Sequence, residues 1–238
     1  MNNYLRRYFN GINNHISIND IVNFNNQFNV DLHYDVFPAF FYGDLNISGP
    51  IVTISLNPQY SDETPHEQGA DFNVWLDQCM DGFLNYPNDI AMHAIWKNLI
   101  KVIPGYTNRI QDKREFLQQH IINIDWCYYY STNFPTLNNV DYHPLIADFS
   151  NNLHFLLCHL KPKLIFIHGK SLSSWFNNNC NNIVQELELQ HGNLGSYNVF
   201  SGKLNNLNIP VVYQSWFINR ANNNDNLERV RNLINNLI

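Results

Sequence analysis

The sequence predicts an α/β fold: a three-layer α/β/α arrangement around a central, mainly parallel, four-stranded sheet. Three observations predict it. Four short runs, at 51–55, 121–127, 164–168 and 209–214, are rich in β-branched and aromatic residues and end in polar, proline- or glycine-containing loops. Between them lie longer stretches with apolar residues at helical spacing, the alternation that builds parallel strands joined by crossover helices. The chain has 238 residues, 45% of them hydrophobic and 14% aromatic, enough for one sizeable core.

The elements follow in order. Residues 1–36 read as an N-terminal extension with one helix at 18–28, and 37–238 as the main domain. The segment from Phe37 to Asp44 leads through Gly49-Pro50 into the first strand, Ile51-Val52-Thr53-Ile54-Ser55. Proline at 58 has no amide to donate, so it stops that strand and leaves Asn57 at its C-terminal end. A polar loop at 61–70 precedes a helix that begins with Phe72, Trp75 and Leu76. Residues 90–102 and 113–120 are helical patterns, separated by Pro104-Gly105. Ile121-Ile122-Asn123-Ile124-Asp125-Trp126-Cys127 is the second strand. A long helix at 144–160 stops at Lys161-Pro162. Leu164-Ile165-Phe166-Ile167-His168 is the third strand, followed by Gly169-Lys170-Ser171 and a helix to Phe176. Residues 184–189 alternate like an exposed strand, 209–214 form the fourth core strand, and 227–238 close the chain as a helix.

Composition excludes several classes. No run of about 18 apolar residues exists, so no membrane span is expected, and the N-terminus lacks the apolar stretch of a secretory signal. Cys79, Cys127, Cys158 and Cys180 form no CxxC pair, so neither a metal nor another cofactor is expected. Free thiols fit a reducing cytoplasm. A net charge of −6 argues against broad polyanion binding and leaves room for a local basic cleft. The asparagine runs, such as Asn222-Asn223-Asn224, read as codon bias.

In open α/β sheets ligands bind beyond the C-terminal ends of the strands, which is where Asn57 falls. A strand-capping turn is the plain alternative. The ordered strand ends resemble those of the uracil-DNA glycosylase superfamily over roughly residues 37–235. Ser55-Leu56-Asn57-Pro58-Gln59 looks like the Asn-Pro motif of its mismatch-specific and single-strand-selective branches. Ile124-Asp125-Trp126-Cys127 is similar to the strand whose asparagine reads the flipped pyrimidine. Lys161-Pro162-Lys163-Leu164-Ile165-Phe166-Ile167-His168-Gly169-Lys170 is similar to the family's strand and phosphate-contacting turn, and 211–221 falls where the family carries its wedge loop.

The resemblance implies a uracil-DNA-glycosylase-like fold and a DNA glycosylase that hydrolyses the N-glycosidic bond of a flipped nucleotide. Its partner would be DNA, and the chain is expected to act as a monomer in the cytoplasm. Asn57 would orient the water. Asp125 stands where the family has asparagine; an ionised carboxylate accepts from the N4 amine of cytosine and repels O4 of uracil. A slip of alignment would put Asn123 there instead and restore uracil reading. Gln59 and Tyr60 stand where uracil-specific members block the pyrimidine C5 substituent. Together with Asp125 they imply a 5-modified cytosine, as in phage-defence glycosylases that remove glucosylated hydroxymethylcytosine.

Phe72 would stack on the base, and Trp75 reads as core. Asn219 would polarise the base O2, and Arg220 would fill the gap left by the flipped nucleotide. The family's wedge-loop histidine is missing, and His168 is the candidate to compensate. Lys170 and Ser171 would contact phosphate. The alternatives are a uracil or thymine mismatch glycosylase, a catalytically inactive nucleic-acid-binding module, and a hydrolase of free nucleotides.

Overall fold

The computed structural model describes residues 1–9, 17–33, 41–56, 71–129, 131, 143–190, 195–215 and 223–238. They form a mixed α/β structure. Helices α1 (Asn2–Phe9) and α2 (Ile18–Phe28) come first, then β1 (Phe41–Tyr42) and β2 (Ile51–Ser55). Helices α3 (Phe72–Met80), α4 (Ala94–Val102) and α5 (Lys113–His120) lead to β3 (Ile121–Asp125). Helix α6 (Pro144–Leu160) connects to β4 (Leu164–His168), followed by α7 (Ser173–Asn179). The chain then runs through β5 (Cys180–Gln190), β6 (Ser196–Leu204), β7 (Pro210–Gln214) and α8 (Asn224–Leu237).

Among the described residues the sheet has seven strands in the order β1-β3-β2-β4-β7-β6-β5, where the sequence predicts four core strands and an exposed one at 184–189, which lies within β5. Its middle is the expected set: β3, β2, β4 and β7 are mutually parallel neighbours. The additions are antiparallel. β1 pairs with β3 over two residues, and the long β5–β6 hairpin extends the other side from β7. β1 is too short to carry a periodic signal. β6 buries Tyr197, Val199 and Ser201 at period two, but the serine and glycine in the run dilute its apolar pattern.

Strand residues alternate between two cores. Ile51, Ile121, Leu164, Phe166 and Val212 face α4, α5 and α8 through residues such as Leu99, Leu117 and Val230. Val52, Ile54, Ile122, Ile124, Ile165 and Ile167 face the other layer, where α6 supplies Phe149, Leu153, Leu156 and Leu157. The two-sided burial is why these strands read as continuous apolar runs. Helix α6 begins with Pro144 in its first turn and ends at Lys161, whose φ of 46° is left-handed, before Pro162. Asp112 caps α5, accepting from the amides of Arg114 and Glu115.

The N-terminal helices join the α6-side core. Leu5, Ile21, Phe24 and Leu32 are buried in it. Tyr4 stacks on Phe155 at 3.6 Å and donates to Asn152 Oδ1 at 2.9 Å. Ser131 Oγ donates to Asp31 Oδ1 at 2.5 Å, tying this segment to the chain beyond β3. No described helix is long and apolar enough to cross a membrane.

Candidate functional site

Parallel register sets the site. Ser55 pairs with Asp125 across β2 and β3, and His168 pairs with Gln214 across β4 and β7. Ile54 pairs with Ile167, so the next residues, Ser55 and His168, stand side by side. In-register neighbours of a parallel sheet project to the same face. Asp125, Ser55, His168 and Gln214 therefore form one row across all four parallel strands, at their C-terminal ends. Asp125, His168 and Gln214 are each buried. A polar row in this position is unusual for a two-sided core, because burying such groups is costly unless they are satisfied.

One step deeper lie Thr53 and Asn123, also buried register partners. Asn123 Oδ1 accepts from Thr53 Oγ1 at 2.8 Å and from Ser55 Oγ at 2.9 Å. With that oxygen taken by two hydroxyl donors, the amide nitrogen is what Asn123 has left to offer Asp125, two residues on along the same face of β3, and the amide favours the charged form of that carboxyl. Asn123 is thus committed to an internal network, and Asp125 is the member of the pair at the strand end. The β2–β3 ladder continues past the strands: Trp126 N donates to Ser55 O at 2.9 Å and Cys127 N to Leu56 O at 2.8 Å.

Burial pushes the Asp125 carboxyl up to about 7, against the opposing pull of the Asn123 hydrogen bond. The nearby thiols do not relieve it. Burial holds Cys79 up at about 12 and Cys127 well above its ordinary value, and the Asp125 charge pushes both further. Burial also lowers His168 to about 4, so its imidazole is neutral at physiological pH. The row therefore presents a carboxyl that changes charge near neutrality beside an uncharged histidine.

The other expected site residues divide into two groups. Asn57, Gln59, Tyr60, Asn219 and Arg220 lie outside the described residues. Lys170 and Ser171 follow the row directly, in a single 3₁₀ turn (Lys170–Leu172) after Gly169, and α7 starts only at Ser173. Gly169 adopts φ 100° and its amide donates to Gln214 O at 2.9 Å, which turns the chain away from β4. Lys170 is exposed and Ser171 half-buried.

Phe72 opens α3, capped by Asp71, which accepts from Asn73 N at 2.7 Å. Its ring is buried, 5.7 Å from that of Trp75, and the Arg6 guanidinium lies over it at 4.2 Å. A base could stack on Phe72 only by displacing Arg6 of α1. Trp75 is buried core, as expected.

Sequence reasoning had no role for Thr53, Ser55 or Gln214, and gave Asn123 one only as the base reader under a shifted alignment. The signal was there as polar residues two apart inside apolar runs, Thr53 and Ser55 on one strand and Asn123 and Asp125 on the next. Among the described residues no group of three His, Cys, Asp or Glu side chains could hold a metal ion. A cleft of about 510 Å³ lies away from the row, lined by Asp44, Asn46, Asp77, Asp81, Gln118 and His159 among others. Its carboxylates disfavour a polyanion. No protein-family model matches this sequence, and no curated protein matches it.

Proposed function

We propose that the protein is a monofunctional DNA glycosylase of the uracil-DNA glycosylase superfamily. It hydrolyses the N-glycosidic bond of a flipped 5-modified cytosine, hydroxymethylated or glucosylated, and leaves an abasic site. Its place would be defence against phage whose DNA carries such bases. The observation that carries this reading is Asp125: a buried carboxyl at the C-terminal end of a parallel strand, where a pyrimidine-reading amide would stand in the family. The deeper Asn123 is held by two hydroxyls, which argues against a uracil-type site centred on that amide.

The chemistry needs little from the protein beyond position. Glycosidic cleavage passes through an oxocarbenium-like state in which departure of the base does most of the work. Asn57 orients the attacking water, Asp125 reads the base edge, and Lys170 with Arg220 holds the phosphates. The four parallel strands end in one polar row, which gives Asp125 and His168 a common edge from which to meet a flipped base.

The test is release of free base, followed by mass spectrometry, from oligonucleotides carrying cytosine, uracil, 5-hydroxymethylcytosine or its glucosylated form. Release confined to the modified cytosines is expected. Release of uracil or thymine instead would favour a mismatch-repair enzyme. Binding with no release from any of them would leave a binding module.

A further inference from the structure

We propose that Asp125 meets the flipped cytosine as an un-ionised acid. Its O–H donates to the base N3 while its carbonyl oxygen accepts from the N4 amine; burial keeps the acid un-ionised, and Asn123 is a positioning residue that tunes it in the opposite sense. The proposal rests on the glycosylase reading above and deepens it, by giving Asp125 the part of general acid as well as reader.

The geometry comes first. A cytosine edge offers one acceptor, N3, beside one donor, the N4 amine. An ionised carboxylate matches only half of that edge, because its second oxygen faces the N3 lone pair. The neutral acid has one donor and one acceptor and matches both. The surroundings of Asp125 favour the neutral form. It is 4% exposed, at the end of β3. From β3 itself comes one neutral amide, that of Asn123, whose orientation Thr53 and Ser55 fix from β2. The titratable groups bearing on it are the Cys79 thiol of α3 and the Cys127 thiol beyond β3, both kept neutral by burial, so neither offers a positive charge to hold the carboxylate. His168 of β4, in the same row, is uncharged. Among the described residues no lysine or arginine contributes to the carboxyl's electrostatics.

The step balances without any other reagent. As the C1′–N1 bond breaks, its electron pair goes to the base. The Asp125 proton passes to N3, so cytosine leaves as a neutral molecule rather than an anion. Water adds to C1′ and loses its proton to solvent, and Asp125 regains a proton from solvent. A carboxyl that titrates near the working pH is well matched to this role. It supplies what the missing family histidine would have given the departing base.

The experiment is a single-turnover pH–rate profile on an oligonucleotide containing glucosylated 5-hydroxymethylcytosine, alongside the same base with N3 replaced by CH. For the wild type on the natural base, the rate should fall about tenfold per pH unit above about 7. Asp125→Asn should be slower by roughly 100-fold or more, with no such limb. The N3-to-CH substrate should bring the wild type down to the variant's rate. Asn123→Leu removes the hydrogen bond that favours the ionised form, so its limb should move to higher pH. Ser55→Ala, which loosens the same amide, should move it the same way if the leucine variant does not fold.

A substrate-free titration of the Asp125 carboxyl, by infrared difference against Asp125→Asn, should show a midpoint near 7. A midpoint near 4, or a flat wild-type rate from pH 6 to about 9, would overturn the acid role and leave the glycosylase reading standing. No release from the natural-base oligonucleotide at any pH would overturn both.

Discussion

Ser55 and Asp125 are register partners at the ends of adjacent parallel strands, and Ser55 Oγ donates at 2.9 Å to the Asn123 amide, whose presence on the same face of β3 favours the charged form of Asp125. This couples the first strand end to the second. A change at Ser55 is felt at Asp125 through Asn123, without direct contact being needed.

The buried carboxyl makes stability fall as pH rises. The folded state holds the Asp125 proton up to about 7, whereas an unfolded aspartate loses it near 4. Between those values this group binds more protons in the folded state, so its contribution to stability declines across the window and levels off above it. Asp125→Asn removes the effect. Its gain over wild type should grow from near zero at pH 4 to on the order of 2–4 kcal/mol at pH 8. Urea midpoints at the two pH values measure this, and a gain that does not change with pH would contradict it.

His168 works in the opposite sense. Its folded value is lowered to about 4, so the unfolded state binds more protons between there and about 6.5. Its contribution is fully present above pH 6.5 and is lost as pH falls toward 4. His168→Gln should remove that loss, gaining on the order of 2–3 kcal/mol over wild type at pH 4 and nothing above pH 6.5, so that the fall with rising pH set by Asp125 steepens in matched denaturation curves.

Gly43 fixes the edge of the frame. It adopts φ +118°, and a Cβ built there would lie 2.5 Å from Ile121 O at the start of β3. Neither the conformation nor the space suits a side chain. Gly43→Ala should cost more than the roughly 1–3 kcal/mol of backbone strain alone, read as a fall in thermal midpoint.

Much of this was legible in the sequence, and the reasons are particular. β2, β3, β4 and β7 announced themselves because burial on both faces left runs such as Leu164-Ile165-Phe166-Ile167 with no polar interruption. The helices at Ile18–Phe28, Lys113–His120 and Pro144–Leu160 showed apolar spacing between polar breaks, and the structure caps them with Ser17, Asp112 and His143. Helix α1 was missed because its order comes from tertiary contacts: Leu5 buried in the core and Tyr4 on Phe155. The polar row was hidden for a similar reason. Whether Ser55 and His168 share an edge depends on register between strands more than 100 positions apart, which no local pattern encodes. Asp125 was found as a departure from a family pattern, whereas its partnership with Asn123 needed the fold.

Under the proposed function, Asp125 would also set base choice. An amide at 125 can turn to offer its oxygen to N3–H and its nitrogen to O4 of uracil, but has no proton to give a departing cytosine. Asp125→Asn should lose release of the modified cytosine and gain release of uracil, in one assay with both bases. Unchanged selectivity would mean that another residue reads the base.

The central claim is that this chain cuts a glycosidic bond with Asn57 at the reacting end. Its most direct measurement is free base liberated from phage DNA rich in glucosylated hydroxymethylcytosine, comparing wild type with Asn57→Ala. The wild type should release the modified base and leave abasic sites, and the variant should bind the DNA yet release at least about 100-fold less. Equal release by both, or DNA binding by the wild type with no abasic sites, would contradict it.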